Sequence, residues 1–143
     1  MRLAIRRLSP DARLPTRAHR GDAGFDLYAL EGGTIPAGAR VAVPTGIAVE
    51  LPERHAGLVI PRSGLAAEHG VALVNAPGLI DQGYRGEVRV LLLNTDPHED
   101  FSFAAGDRIA QLIVVRVEAP DIVEVAELAA SQRGHAGFGS SGA

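Results

Sequence analysis

Short runs rich in leucine and β-branched residues recur along the chain, each bounded by Gly, Pro, Asn or Asp. They fall at Leu3–Leu8, Phe25–Leu30, Arg40–Val43, Gly46–Leu51, Ala56–Ile60, Val71–Asn75, Glu87–Asn94, Asp107–Val117 and Ile122–Glu127. Regular short strands with turn signals between them predict an all-β sandwich, barrel or jelly roll. Inside Glu87–Asn94 the alternation gives way to Leu91-Leu92-Leu93, the pattern of a strand buried on both faces. Only Ser63–His69 (SGLAAEH) reads as helix, two turns at most, with Ser63 as its candidate cap. No repeat, low-complexity block or linker divides the chain. Residues 1–128 therefore read as one all-β domain. Residues 129–143 (AASQRGHAGFGSSGA) read as a flexible tail, because they offer little to bury and their glycines raise the entropy of the free backbone.

Composition narrows the chemistry. At 143 residues, 46% apolar and 22% charged, the chain suits one globular domain with one core. All 14 basic residues are arginine, which excludes Schiff-base chemistry, a lysine general base and the lysine of a Walker A loop. The absence of cysteine excludes thiol nucleophiles, disulfides and thiolate metal sites. A net charge of −3 argues against nucleic-acid binding. The arginine-rich first 20 residues are read as a charged edge strand and loop. MRLAIRRLSP has no apolar run of the secretory kind, and no run nears the ~18 residues that span a bilayer. The expected location is cytoplasmic, with no membrane partner.

Five fragments hold the candidate chemistry, and each also has a plainer structural reading. Asp22-Ala23-Gly24-Phe25-Asp26-Leu27 alternates Asp26 with apolar neighbours. That turns Asp26 toward a metal or water network, or simply toward solvent; with no cysteine, oxygen ligation suits Mg²⁺ better than zinc. Pro61-Arg62-Ser63-Gly64-Leu65-Ala66 runs a strand into the only helix, where N–H groups attract anions beside Arg62 and Ser63. Asn75 to Glu87 is a Gly- and Pro-rich hairpin. Its Gly78 permits close backbone approach, and its Asp81 could deprotonate a water or merely serve the turn. Gln111 lies in an apolar strand and needs a hydrogen-bond partner, structural or bound. In the tail, Arg133 and the glycines and serines after it form a candidate phosphate cradle, and Phe138 has no core to join. The five histidines have neither metal-ligand spacing nor a serine to activate.

The order of the fragments is more specific than any one of them. AGFDLYA (23–29), PRSGLA (61–66), NAPGLIDQGYRGEV (75–88), GDRIAQLIV (106–114) and RGHAGFGSSG (133–142) together resemble the five motifs of the trimeric dUTP diphosphatase (dUTPase) family, over nearly the whole chain. The resemblance implies a distorted jelly roll (a β-clip barrel) with one short helix, assembled as a homotrimer whose active sites are shared between subunits. It implies Mg²⁺-assisted hydrolysis of dUTP to dUMP and pyrophosphate by water attack on the α-phosphate, which keeps uracil out of DNA and supplies dUMP for thymidylate synthesis. By the same resemblance Asp81 activates the water, and Tyr84 lies under the deoxyribose and leaves no room for a 2′-hydroxyl. Asn75, Gly78, Leu79 and Ile80 belong to the hairpin that reads uracil. Arg62, Ser63, Gly64 and Gln111 match phosphate contacts, and Asp26 matches a carboxylate that meets Mg²⁺ through water. Arg133, Phe138, Gly139 and Ser140 match the tail that closes over the bound nucleotide, and Arg89 is added to the substrate contacts.

Two positions depart from the family pattern: Ala136 stands where glycine is common, and Ser141 where threonine is common. Two alternatives accompany the reading. One is a dCTP deaminase, or bifunctional deaminase and diphosphatase, of the same fold. The other is a non-catalytic trimer that senses nucleotides.

Overall fold

The computed structural model describes residues 2–132 and 134–135. Ten strands and one helix follow in the order β1 (Ala4–Arg7), β2 (Phe25–Tyr28), β3 (Gly33–Ile35), β4 (Arg40–Glu50), β5 (His55–Ile60), α1 (Ser63–His69), β6 (Val71–Leu73), β7 (Gly78–Ile80), β8 (Glu87–Asn94), β9 (Phe101–Phe103) and β10 (Arg108–Arg116). One four-stranded sheet has the order β1-β4-β8-β6, another β2-β10-β5-β7, and β3 pairs with β9. All the pairings are antiparallel. Inward side chains of the two larger sheets share one core, in which Leu27, Ile35, Ile47, Leu92, Ile109 and Leu112 are fully buried. This is the all-β fold that the pattern predicts.

Four expectations change in detail. Arg40–Val43 and Gly46–Leu51 are one strand, because Pro44-Thr45-Gly46 forms a bulge and not a turn; the register against β8 shifts between Pro44 and Ala48. Side chains fill the bulge: Glu87 Oε1 accepts the Gly46 N–H at 2.8 Å, and the Thr45 hydroxyl donates to Val88 O. Strand β8 keeps its alternation. Val88, Val90, Leu92 and Asn94 are buried, while Leu91 and Leu93 stand half-buried on the outer face. Ser63 does not cap α1. Arg62 holds the cap position without a side-chain bond, and Gly70 ends the helix in the left-handed region that glycine tolerates. Finally, Ile122–Glu127 forms no strand. No neighbouring strand of its own chain reaches it, and Ile122, Val123 and Val125 lie exposed.

Gly46 is the tightest point of the bulge. It sits at φ +68°, and a Cβ there would stand 2.8 Å from Ala12 Cβ and 3.0 Å from Leu30 Cδ1. Gly46→Ala is therefore expected to destabilise the fold by about 1–3 kcal/mol, read as a lower denaturation midpoint. An unchanged midpoint would contradict this packing.

Candidate active site

The hairpin from Asn75 to Glu87 builds a cavity on the edge of a sheet. Strand β7 pairs with β5 on one side only, with Val59 opposite Gly78 and Gly57 opposite Ile80. Its other side is open, and an open strand edge presents backbone donors and acceptors in fixed alternation. A cavity of about 290 Å³ lies there, lined by Asn75, Gly78, Leu79, Ile80, Asp81, Tyr84 and Arg89. The structure thus brings together seven residues that the sequence singled out. Val59, Glu87, Val88 and Leu91 also line it; the sequence reading had them only as strand residues. Gly78 is needed at this spot, since a Cβ would stand 3.2 Å from Asn75 Nδ2 and 3.5 Å from Val59 Cβ.

The turn after β7 is held by its own backbone. The Tyr84 N–H donates to Asp81 O at 3.0 Å, and Arg85 Nη1 donates to the carbonyls of Gln82 (2.7 Å) and Tyr84 (2.9 Å). Asp81 is exposed. Its carboxylate makes no hydrogen bond or ion pair among the described residues, so its lone pairs are available to a water. The Tyr84 ring is half in solvent, and its hydroxyl donates to Glu87 O at 2.9 Å. Arg89 reaches across to Ala42 O at 3.2 Å.

A second cluster forms where β2, β10 and the end of β5 meet. Asp26 opposes Gln111, which in turn opposes Ile60. The Asp26 carboxylate is buried, not turned to solvent as strand alternation suggested. Oδ1 faces Arg62 Nε at 3.4 Å and accepts from Gln111 Nε2 at 3.3 Å, and Oδ2 faces Arg108 Nη1 at 3.3 Å. Arg62 also donates to Arg108 O at 3.1 Å. Two guanidiniums compensate one buried carboxylate, which leaves a net positive local charge suited to an anion. Arg108 is the member the sequence reading missed, although it lies within the quoted GDRIAQLIV. Ser63 and Gly64 open α1 beside Arg62. A Cβ on Gly64 would meet nothing within 4 Å, so packing within the chain does not account for this glycine.

Magnesium prefers six oxygen ligands, keeps several waters, and takes one or two carboxylates plus substrate phosphates. Among the described residues no group of three or more His, Asp or Glu side chains is placed to hold a metal. A single Asp26 engaged by two cations fits the ion only at one remove, through water, with phosphate oxygens as the main ligands.

The two clusters are separate on one chain. None of Asp26, Arg62, Ser63, Gly64 or Gln111 lines the hairpin cavity. Asp81 follows Ile80, which opposes Gly57 at one end of β5, whereas Arg62 lies beyond Ile60 at the other. At about 3.3 Å per residue the backbone separation is roughly 16 Å. Arg133, Phe138, Gly139 and Ser140, with Ala136 and Ser141, lie outside the described residues.

Comparison with known proteins matches this arrangement to one family. The dUTPase family model aligns with residues 10–142. A deoxyuridine 5′-triphosphate nucleotidohydrolase of Thermobifida fusca (strain YX) is 55% identical over 142 residues, covering 99% of this chain and 79% of the relative. That of Leifsonia xyli subsp. xyli is 57% identical over 130 residues, covering 91% and 86%. Among solved structures, the dUTPase of Staphylococcus bacteriophage 80alpha with dUPNHPP superposes with a TM-score of 0.92 at 30% identity, over 99% of both chains. A point mutant of the dUTPase from phage phi11 of S. aureus, described with a structural Mg(II) ion, gives 0.83 at 26% identity, over 89% of this chain and 98% of that one.

Proposed function

Because the chain belongs to the dUTPase family and hydrolyses dUTP, we propose that the open edge of β7 binds uracil and that Asp81 activates the attacking water. The single observation that carries this reading is the exposed, unpaired Asp81 at the lip of a cavity walled by Gly78–Ile80, Asn75 and Tyr84. Uracil carries alternating carbonyl and N–H groups, which the free backbone of an edge strand can meet, with the Asn75 amide adding one donor and one acceptor. The Tyr84 ring lies under the deoxyribose and leaves no space for a 2′-hydroxyl.

Asp81 takes a proton from water as the water oxygen bonds to the α-phosphorus. The bond from that phosphorus to the bridging α,β-oxygen breaks, and pyrophosphate leaves with the electron pair. Arg62, Ser63, Gly64 and Gln111 hold the phosphates, with Asp26 fixing the direction of Arg62 and Gln111. A magnesium ion, when bound to the triphosphate, neutralises phosphate charge, and Asp26 meets it through water. The tail 129–143, with Arg133, Phe138, Gly139 and Ser140, closes over the nucleotide, and base–aromatic stacking by Phe138 contributes ~1–3 kcal/mol. Most of the acceleration is then positioning and charge stabilisation. The activity removes dUTP as a source of uracil in DNA and supplies dUMP to thymidylate synthesis.

The sites are shared between copies of the chain in a homotrimer. The ~16 Å between Asp81 and Arg62 supports this, since one set of phosphates cannot meet both on one chain. So does the exposed apolar surface: Val41, Val74, Ile122, Val123, Val125 and Leu128 find no cover within the chain. Among the described residues no helix is long and apolar enough to cross a membrane.

Pyrophosphate release measured across dUTP, dTTP, dCTP and UTP tests the reading. Rapid release from dUTP alone is expected. Ammonia release from dCTP would instead indicate the deaminase of the same fold, and tight dUTP binding without turnover would indicate a sensor.

A further inference from the structure

Tyr84 lies directly against the backbone of a glycine two residues on. A Cβ on Gly86 would stand 2.6 Å from Tyr84 Cζ and 2.9 Å from Cε2, with the Tyr84 hydroxyl nearer still. These three atoms are its nearest neighbours, and all belong to one side chain. Gly86 does not use a positive φ, so its backbone suits any residue. Glycine is required here for space, and the space is filled by Tyr84.

The tip of the ring is fixed as well. Its hydroxyl bonds to Glu87 O, and residue 87 is anchored twice more: its own carboxylate accepts the Gly46 N–H in the β4 bulge, and the next carbonyl accepts the Thr45 hydroxyl. On the other side, the Asp81–Tyr84 turn and the Arg85 guanidinium hold the Tyr84 backbone. With backbone and tip both pinned, the ring has one seat, and that seat exists only while residue 86 has no side chain.

We propose that Gly86 is a specificity-determining residue: it lets Tyr84 lie flat on the 84–87 turn and so sets whether a 2′-hydroxyl fits beside the ring. The proposal rests on the reading of Tyr84 as the wall beneath the deoxyribose. A methyl group at 86 must lift the ring by about 1 Å to restore ordinary carbon–carbon contact. That displacement breaks the bond to Glu87 O and frees the ring to yield to a ribose.

A double-mutant cycle tests this, with kcat/KM for dUTP and UTP and a denaturation midpoint measured on the native chain, Gly86→Ala, Tyr84→Ala and the double variant. Gly86→Ala is expected to lower the preference for dUTP over UTP by about tenfold or more. In the Tyr84→Ala background the same change should alter neither preference nor midpoint, because the methyl then replaces a missing ring. If Gly86→Ala alone fails to fold, Tyr84→Ala should restore folding to the pair. An equal cost with and without the ring would overturn the proposal, as would a native preference in Gly86→Ala alongside an altered one in Tyr84→Ala. If Tyr84→Ala itself leaves the preference unchanged, the sugar-wall reading fails and the proposal falls with it.

Discussion

Asp81→Asn should slow release of pyrophosphate from dUTP by about 10²–10⁴-fold, the usual contribution of a positioned general base. The substitution is close to isosteric. The contact that closes the turn uses the Asp81 carbonyl and not its side chain, so the hairpin keeps its shape. What is removed is the capacity to accept the water's proton as the bond to phosphorus forms. The loss should therefore appear in kcat, with KM and binding of a non-hydrolysable imido analogue of dUTP little changed. A variant that turns over at close to the native rate would remove Asp81 from the reaction.

Much of this site was legible in the residues themselves. Ligand-binding segments here are loops and strand edges, where Gly, Pro, Asn and Asp serve the backbone directly, so their spacing survives as a readable string. The seven hairpin residues meet around one cavity for that reason. Where the reading failed, tertiary packing had overridden a local signal. Pro44-Thr45-Gly46 looks like a turn because proline and glycine punctuate chains, yet Glu87 and Thr45 satisfy the backbone and convert it into a bulge. Alternation turned Asp26 away from the core, yet two arginines and a glutamine from distant positions stabilise its buried charge. Arg108 was passed over because an arginine at the start of an apolar strand looks like a solvated end. Ile122–Glu127 has the composition of a strand but no strand of its own chain beside it. No local pattern carries that information.

The distance between the two clusters carries the largest consequence. Arg62 turns toward Asp26 at one end of β5, while Asp81 stands beyond the other. Neither can be brought to a common phosphate without dismantling the register that Val59–Gly78 and Gly57–Ile80 define. A working site thus takes Asp81 from one copy and Arg62 from another. Gly64 agrees with this, since the open space above it within one chain leaves room for what a second copy and its nucleotide bring.

Two damaged chains should then repair each other. Asp81→Asn and Arg62→Ala, each purified, shown to fold, and each nearly inactive, are unfolded, mixed in equal amounts and refolded together. The Asp81→Asn copy still supplies Arg62, and the Arg62→Ala copy still supplies Asp81. Random assembly therefore gives about a quarter of the sites a full set of native residues. Release of pyrophosphate from dUTP at about a quarter of the native rate is the predicted result. A mixture no more active than the sum of its two components would contradict a site shared between copies.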